Sequence, residues 1–116
     1  MKWRYESNYS IITLEGKLIL DVTDQLKNEI KNVIDDHKIT TLIVDLSQVD
    51  FIDSTGVGML ISLYKYLSER SGALSVVSNQ PRVNKVIEIT KLNLILPCLK
   101  SLDEALEQMN TSDSEE

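Results

Sequence analysis

Cysteine and histidine are nearly absent from this 116-residue chain, which contains one of each, Cys98 and His37. A single cysteine cannot form a disulfide within the chain, and one cysteine with one histidine cannot supply the ligands of a usual zinc site. Cys98 stands in the apolar stretch 94–99, where a thiol is typically buried and unreactive. The sequence therefore predicts no bound metal and a thiol that takes no part in chemistry.

Long apolar runs and an excess of positive charge are also missing. No stretch approaches the ~20 apolar residues that a membrane-spanning helix needs, and residues 1–6 lack the apolar core of a signal peptide. The chain carries 12 basic and 18 acidic residues, and its net charge of -6 disfavours nucleic acid, which is bound by clustered lysine and arginine. We expect a cytoplasmic protein with no membrane insertion and no nucleic-acid partner.

Motifs for nucleotide binding and nucleophilic catalysis are incomplete. The run 56–58 begins like a dinucleotide fingerprint, but Ile61 occupies the third glycine position, and no Gly-Lys-Ser or Gly-Lys-Thr forms a P-loop. A nucleophile elbow around Ser54 would need glycine where Ile52 stands. The only candidate base, His37, is expected at the polar end of a helix, away from Ser54. The sequence favours a protein that needs no cofactor and is not an enzyme.

The residues that are present suffice for one core, since 42% are hydrophobic. Apolar periodicity alternates between strand and helix along the chain. The predicted strands are residues 2–6, 9–15, 41–46, 73–77 and 94–96. The first predicted helix has Asp21 as its N-cap, and the other three start at the hexapeptide 53–58, at Pro81 and after Ser101. The first helix is expected to end near Asp36 and to bury Val22, Leu26, Ile30, Val33 and Ile34.

This element order predicts an α/β fold in which a mixed sheet of four to five strands packs with about four helices. We expect a single domain over residues 1–110. The polar and acidic residues 111–116 are expected to form a disordered tail.

The hexapeptide 53–58, Asp-Ser-Thr-Gly-Val-Gly, is the most informative stretch, because it is predicted to join a buried strand to a helix. Free N–H groups at a helix start favour a capping oxygen or a phosphate, so Asp53 or Ser54 is a candidate cap. Two glycines in the first turns each cost about 1 kcal/mol relative to alanine. Close packing of the helix start or access for a partner to bare backbone would explain them, and the residues alone leave both explanations open.

A phosphate on Ser54 would add about -1.5 to -2 charges next to Asp53. The helix start could accept this group without unfolding of the domain, whereas a partner docked over it would face a desolvated dianion. The hexapeptide is therefore suited to a switch that changes binding and preserves the fold.

The stretch 49–58, preceded by the apolar strand 42–46, resembles the signature of the STAS domain of bacterial anti-sigma factor antagonists. Residues 16–18 with Leu26 are similar to that family's loop into its first helix, and residues 72–74 to its strand after the second helix. The resemblance extends over nearly the whole chain. It implies a STAS-like sheet with packed helices.

In that family, an anti-sigma factor that is also a serine kinase binds the unmodified antagonist and releases its sigma factor. The resemblance implies that Ser54 is the phosphoacceptor and that Asp53 shapes the acceptor loop. It also implies that Thr55, Gly56, Val57 and Gly58 line the docking surface together with Ser54. Phosphorylation ends the binding, and a serine phosphatase restores it. We expect a monomer or a weak dimer.

One position departs from the best-known members of the family, which carry an aspartate where this chain has Ile19. The substitution bears on contacts with the kinase and leaves the fold unaffected. Two alternatives stay open at this point. One is a constitutive STAS module in a larger signalling or lipid-transport assembly without a phosphorylation cycle, and the other is a weak nucleotide hydrolase.

Overall fold

The computed structural model of the chain describes residues 1–114, which fold around one mixed sheet. Its strands are β1 (Lys2–Tyr5), β2 (Ser10–Leu18), β3 (Thr41–Ile52), β4 (Ala73–Val77) and β5 (Cys98–Leu99). They lie side by side in chain order, with β1 antiparallel to β2 and every later pair parallel. Parallel neighbours require crossover segments, and helices provide them. The predicted α/β class and mixed sheet are confirmed.

Four α-helices pack on this sheet in the part of the chain that the structure describes. They are α1 (Leu20–His37), α2 (Ser54–Ser68), α3 (Pro81–Thr90) and α4 (Leu102–Ser114), and a short 3-10 helix covers Leu92–Leu94. The apolar side chains of α1, α2 and α3 belong to one cluster with alternate residues of β2 and β3, such as Ile12 and Val44. The intervening residues Ile11 and Ile43 pack with Ala105 of α4. Since side chains alternate across a strand, the sheet is covered on both faces.

Strand β3 is the longest and positions the hexapeptide. Residues 42–45 pair with β2 on one side and β4 on the other, whereas residues 48, 49, 51 and 52 pair with β2 alone. The prediction ended this strand at Leu46, because Ser47, Gln48 and Asp50 are polar. Gln48 and Asp50 are exposed on either side of the buried Val49, on a part of the strand that has one neighbour, so polarity marks exposure there rather than a strand end.

Three further expectations need correction. The predicted strand 94–96 is wrong, because residues 92–94 form a 3-10 turn and β5 starts after Pro97. The predicted burial of Val22 is also wrong: it is 42% exposed, while Ile30 and Ile34 further along α1 are buried. Helix α4 continues to Ser114, beyond the expected end of the domain, and residues 115–116 lie outside the described part of the chain.

Candidate functional site

The candidate site forms where β2 and β3 end side by side. Leu18 is paired with Ile52 at this edge, and the N–H of Asp53 donates to the carbonyl oxygen of Leu18 over 3.1 Å. Helix α1 starts two residues after Leu18, and α2 starts two residues after Ile52. Pairing of the two strands therefore brings the starts of the two helices together.

Asp53 is the N-cap of α2. Its Oδ1 accepts hydrogen bonds from the backbone N–H of Thr55 at 2.9 Å and of Gly56 at 3.1 Å, and from the Thr55 hydroxyl at 2.5 Å. A side-chain oxygen in this position satisfies N–H groups that have no partner within the helix. The sequence offered Asp53 and Ser54 as capping candidates. In the structure Asp53 makes the capping hydrogen bonds, and Ser54 makes none of them.

The same carboxylate also serves α1. Its other oxygen, Oδ2, accepts from the N–H of Leu20, the first residue of α1, at 3.2 Å. The N-cap position of α1 is Ile19, whose side chain cannot accept a hydrogen bond. The prediction that Asp21 caps this helix is wrong, because the N-cap position is two residues earlier and the capping oxygen comes from Asp53, 33 residues after Leu20.

These hydrogen bonds favour the ionised form of Asp53. The Thr55 hydroxyl is the main cause, and the backbone N–H groups of Gly56, Leu20 and Thr55 add to it. They outweigh partial burial and hold the pKa of Asp53 below its usual value. The junction therefore carries a fixed negative charge between two helix starts at neutral pH, where such a charge is favourable.

The two hydroxyls of the hexapeptide lie in different environments. The Thr55 hydroxyl is half-buried and donates to Asp53. Ser54 is exposed at the first position of α2, and its hydroxyl makes no hydrogen bond to residues 1–109, whose side chains the structure describes. Ser54 is therefore the hydroxyl that a second protein can reach.

The two glycines of the hexapeptide lie in different surroundings. A Cβ added to Gly56 would lie 2.5 Å from Cγ1 of Ile52 and 2.7 Å from the carbonyl oxygen of Leu18, so close packing excludes any side chain there. A Cβ added to Gly58 would meet no atom within 4 Å. Packing within the fold thus explains Gly56 and leaves Gly58, which is exposed, without an internal reason.

Val57 and Gly56 are buried, so neither contributes an open surface. The exposed part of the hexapeptide consists of Ser54, Gly58 and parts of Asp53 and Thr55. Leu20 is a further surface residue here that the sequence analysis missed. Apolar periodicity does not mark it as exposed, because Leu20 stands three residues before the buried Thr23 and therefore on the same side of α1.

His37 and Cys98, the two other side chains considered for chemistry, lie elsewhere in the fold. His37 is the last residue of α1 and stacks on the ring of Tyr5, with 4.3 Å between ring centroids. Eighteen helical residues at 1.5 Å per residue separate it from the Ser54 end of α1 by about 25 Å, which excludes a Ser54–His37 dyad. Burial raises the pKa of Cys98 to about 11, as expected for an unreactive thiol.

A profile of the STAS domain matches residues 3–105. The chain belongs to the STAS domain family. The resemblance seen in residues 49–58 is thereby confirmed over most of the chain. None of the helices in residues 1–114 is long and apolar enough to cross a lipid bilayer.

Similar STAS proteins are antagonists of anti-sigma factors. The anti-sigma F factor antagonist of Paenibacillus polymyxa is 23% identical over 99 residues, which cover 85% of each chain. The crystal structure of an anti-sigma factor antagonist from Mycobacterium paratuberculosis has a TM-score of 0.82 and 27% identity, over 92% of this chain and 90% of its own. The Bacillus cell fate determinant SpoIIAA in its phosphorylated form has a TM-score of 0.68 and 22% identity, over 93% and 97%. This last likeness shows the fold alone.

Proposed function

We propose that this STAS domain is an anti-sigma factor antagonist, which binds an anti-sigma factor with serine kinase activity and thereby frees a sigma factor. Phosphorylation of Ser54 ends the binding, and a serine phosphatase restores it. The observation that carries the proposal is the division of roles at the start of α2. Asp53 makes the capping hydrogen bonds, and Ser54 presents an exposed hydroxyl without a structural partner in residues 1–109.

The comparisons support the partner class. The relatives that match this chain over most of its length are named for their antagonism of anti-sigma factors, among them the protein of Paenibacillus polymyxa. One protein of the same fold, SpoIIAA, exists in a phosphorylated form. The exposed hydroxyl of Ser54 is a position at the start of α2 where such a modification would change the surface without disturbing the caps.

Charge explains why a phosphate at Ser54 would end the binding. The group adds about -1.5 to -2 charges at neutral pH, within one residue of the ionised Asp53. The start of α2 partly stabilises it in water, so the fold is retained. A partner covering Ser54 would have to desolvate both anions, which costs far more than burying a neutral hydroxyl.

The kinase test uses purified protein, ATP and each serine-kinase anti-sigma factor encoded in the source genome. Mass spectrometry of the product is expected to place one phosphate on Ser54. Ser54→Ala should abolish labelling, whereas Ser68→Ala, which removes an exposed hydroxyl at the other end of α2, should leave it unchanged. Phosphate on another residue with Ser54 unmodified would overturn the proposal.

The binding test compares two substitutions at Ser54 by calorimetric titration. Ser54→Ala should bind the anti-sigma factor as wild type does, and Ser54→Asp should bind more weakly, because only the second places a charge in the interface. Equal affinity of both variants would favour the alternative, a constitutive STAS interaction module without a phosphorylation cycle.

A further inference from the structure

The side chain of Leu20 is apolar but is not part of the hydrophobic core. It is 70% exposed at the first position of α1. The buried residues of this helix are Thr23, Ile30 and Ile34, whereas Leu20, three residues before Thr23, is exposed where α1 begins beyond the end of β2. Its backbone has a structural role, because its N–H donates to Asp53, but its side chain remains in water.

Leu20 belongs to the same surface as the hexapeptide. Together with Thr55 and Gly58 it lines a groove of about 380 Å³ between the first turns of α1 and α2. The hydrogen bond from Leu20 N–H to Asp53 Oδ2 fixes this arrangement, since it joins the two helix starts. The open space above Gly58 lies along the same groove, so a side chain from outside has access to bare backbone beside Leu20.

The groove is suited to an apolar side chain rather than to a charged one. Leu20 is its main exposed apolar residue, since Met59 is almost fully buried, and its charged residues, Asp24 and Lys27, pair with each other at 3.5 Å beside Thr23 and Thr55. An apolar side chain placed against Leu20 therefore gains free energy from removal of apolar surface from water.

We propose that Leu20 is an apolar anchor of the surface that binds the anti-sigma factor, and that the partner inserts an aliphatic or aromatic side chain into the groove beside it. This inference rests on the proposed function and adds a contact outside the hexapeptide. Thr55, the residue after Ser54, lines the groove together with Leu20, so a partner docked over the start of α2 covers Leu20 and the phosphoacceptor at once. Leu20 then contributes affinity, and the modification state of Ser54 decides whether that affinity is realised.

Leu94 provides a matched control, because it is 76% exposed but lies in the turn after α3 and outside the groove. Leu20→Ala and Leu94→Ala are compared for binding to the anti-sigma factor that phosphorylates wild-type protein. We expect Leu20→Ala to weaken binding about 10- to 100-fold, the range for exposing a buried leucine side chain. Leu94→Ala should stay within about twofold of wild type, as a surface substitution away from the interface does.

Leu20→Asp separates an apolar contact from a loss of folding. Aspartate is favourable in the first turn of a helix, so α1 should keep its circular dichroism spectrum while binding falls further than in Leu20→Ala. If Leu20 makes an apolar contact, the loss of affinity in Leu20→Ala should persist in 0.5 M salt, because salt screens interactions between charges.

The outcomes distinguish this inference from the proposed function. If Ser54→Asp weakens binding and Leu20→Ala does not, the antagonist function stands and the anchor is overturned. Equal losses in Leu20→Ala and Leu94→Ala would also overturn it. If no serine-kinase anti-sigma factor binds wild-type protein, both the proposed function and the anchor fail.

Discussion

The two glycines of the hexapeptide make the sharpest prediction about stability, because the same substitution two residues apart should have opposite effects. Alanine is better than glycine in a helix by about 1 kcal/mol. At Gly58 this gain is expected in full, since an added Cβ meets nothing within 4 Å. An unfolding entropy of about 2.1 cal/mol/K per residue gives about 0.24 kcal/mol/K for 116 residues. Gly58→Ala should therefore raise Tm by about 4 °C.

At Gly56 the gain in helix propensity is outweighed by overpacking. The added Cβ would lie 2.5 Å from Ile52, a fully buried side chain, and 2.7 Å from the backbone oxygen of Leu18, which accepts from Asp53. Overpacking typically costs about 1–3 kcal/mol, and two contacts below 3 Å place this site near the upper end. A net loss of about 2 kcal/mol lowers Tm by about 8 °C.

Differential scanning calorimetry of the two variants and wild type tests this prediction without any partner protein. The two alanine variants should differ in Tm by about 12 °C, with wild type between them. A Gly58→Ala variant that melts below wild type, or a Gly56→Ala variant that melts above it, would refute the packing argument. If Gly58→Ala is more stable and binds the anti-sigma factor more weakly, the glycine is retained for access to the backbone.

Two further predictions concern titratable groups. Asp53 stabilises the fold through a pKa held below its usual value, so its contribution is complete above about pH 4 and is lost as pH falls through the lowered pKa. The Tm difference between wild type and Asp53→Asn should therefore shrink between pH 5 and pH 2. If the difference in Tm stays constant over this range, the ionised Asp53 does not stabilise the two helix starts through this double cap. Cys98, with a pKa near 11, should react slowly with iodoacetamide at pH 8 in native protein and at the rate of an ordinary thiol in urea. Equal rates in the two conditions would show that the thiol is accessible.

The sequence predicted most of the fold because its strong patterns are local. The β-branched run 41–46 and the apolar periodicity of α2 each require only neighbouring residues, and both were confirmed. The start of α1 was missed by two residues because its cap is Asp53, which no pattern around Asp21 reveals. The predicted strand 94–96 failed for a different reason. Leu94 and Ile95 are exposed, so the rule that aliphatic runs enter a sheet does not hold for them.

The sequence predicted where the site lies in the fold but only part of its internal structure. The hexapeptide does join a strand to a helix, and Ser54 is exposed there. The sequence could not separate the two glycines, because the difference depends on the distances of Ile52 and the Leu18 backbone from Gly56. It likewise could not show Leu20 beside the hexapeptide, since the two meet only through the pairing of β2 with β3.

The double cap made by Asp53 has a consequence for how this protein can evolve. Because one carboxylate caps both helices, the side chain at the neighbouring position 54 is not needed to stabilise the helix starts. Selection at position 54 therefore acts on partner binding and modification, and hardly at all on folding. Lineages can therefore gain, lose or retune covalent control at that position in single steps, while Asp53 itself has almost no freedom to change.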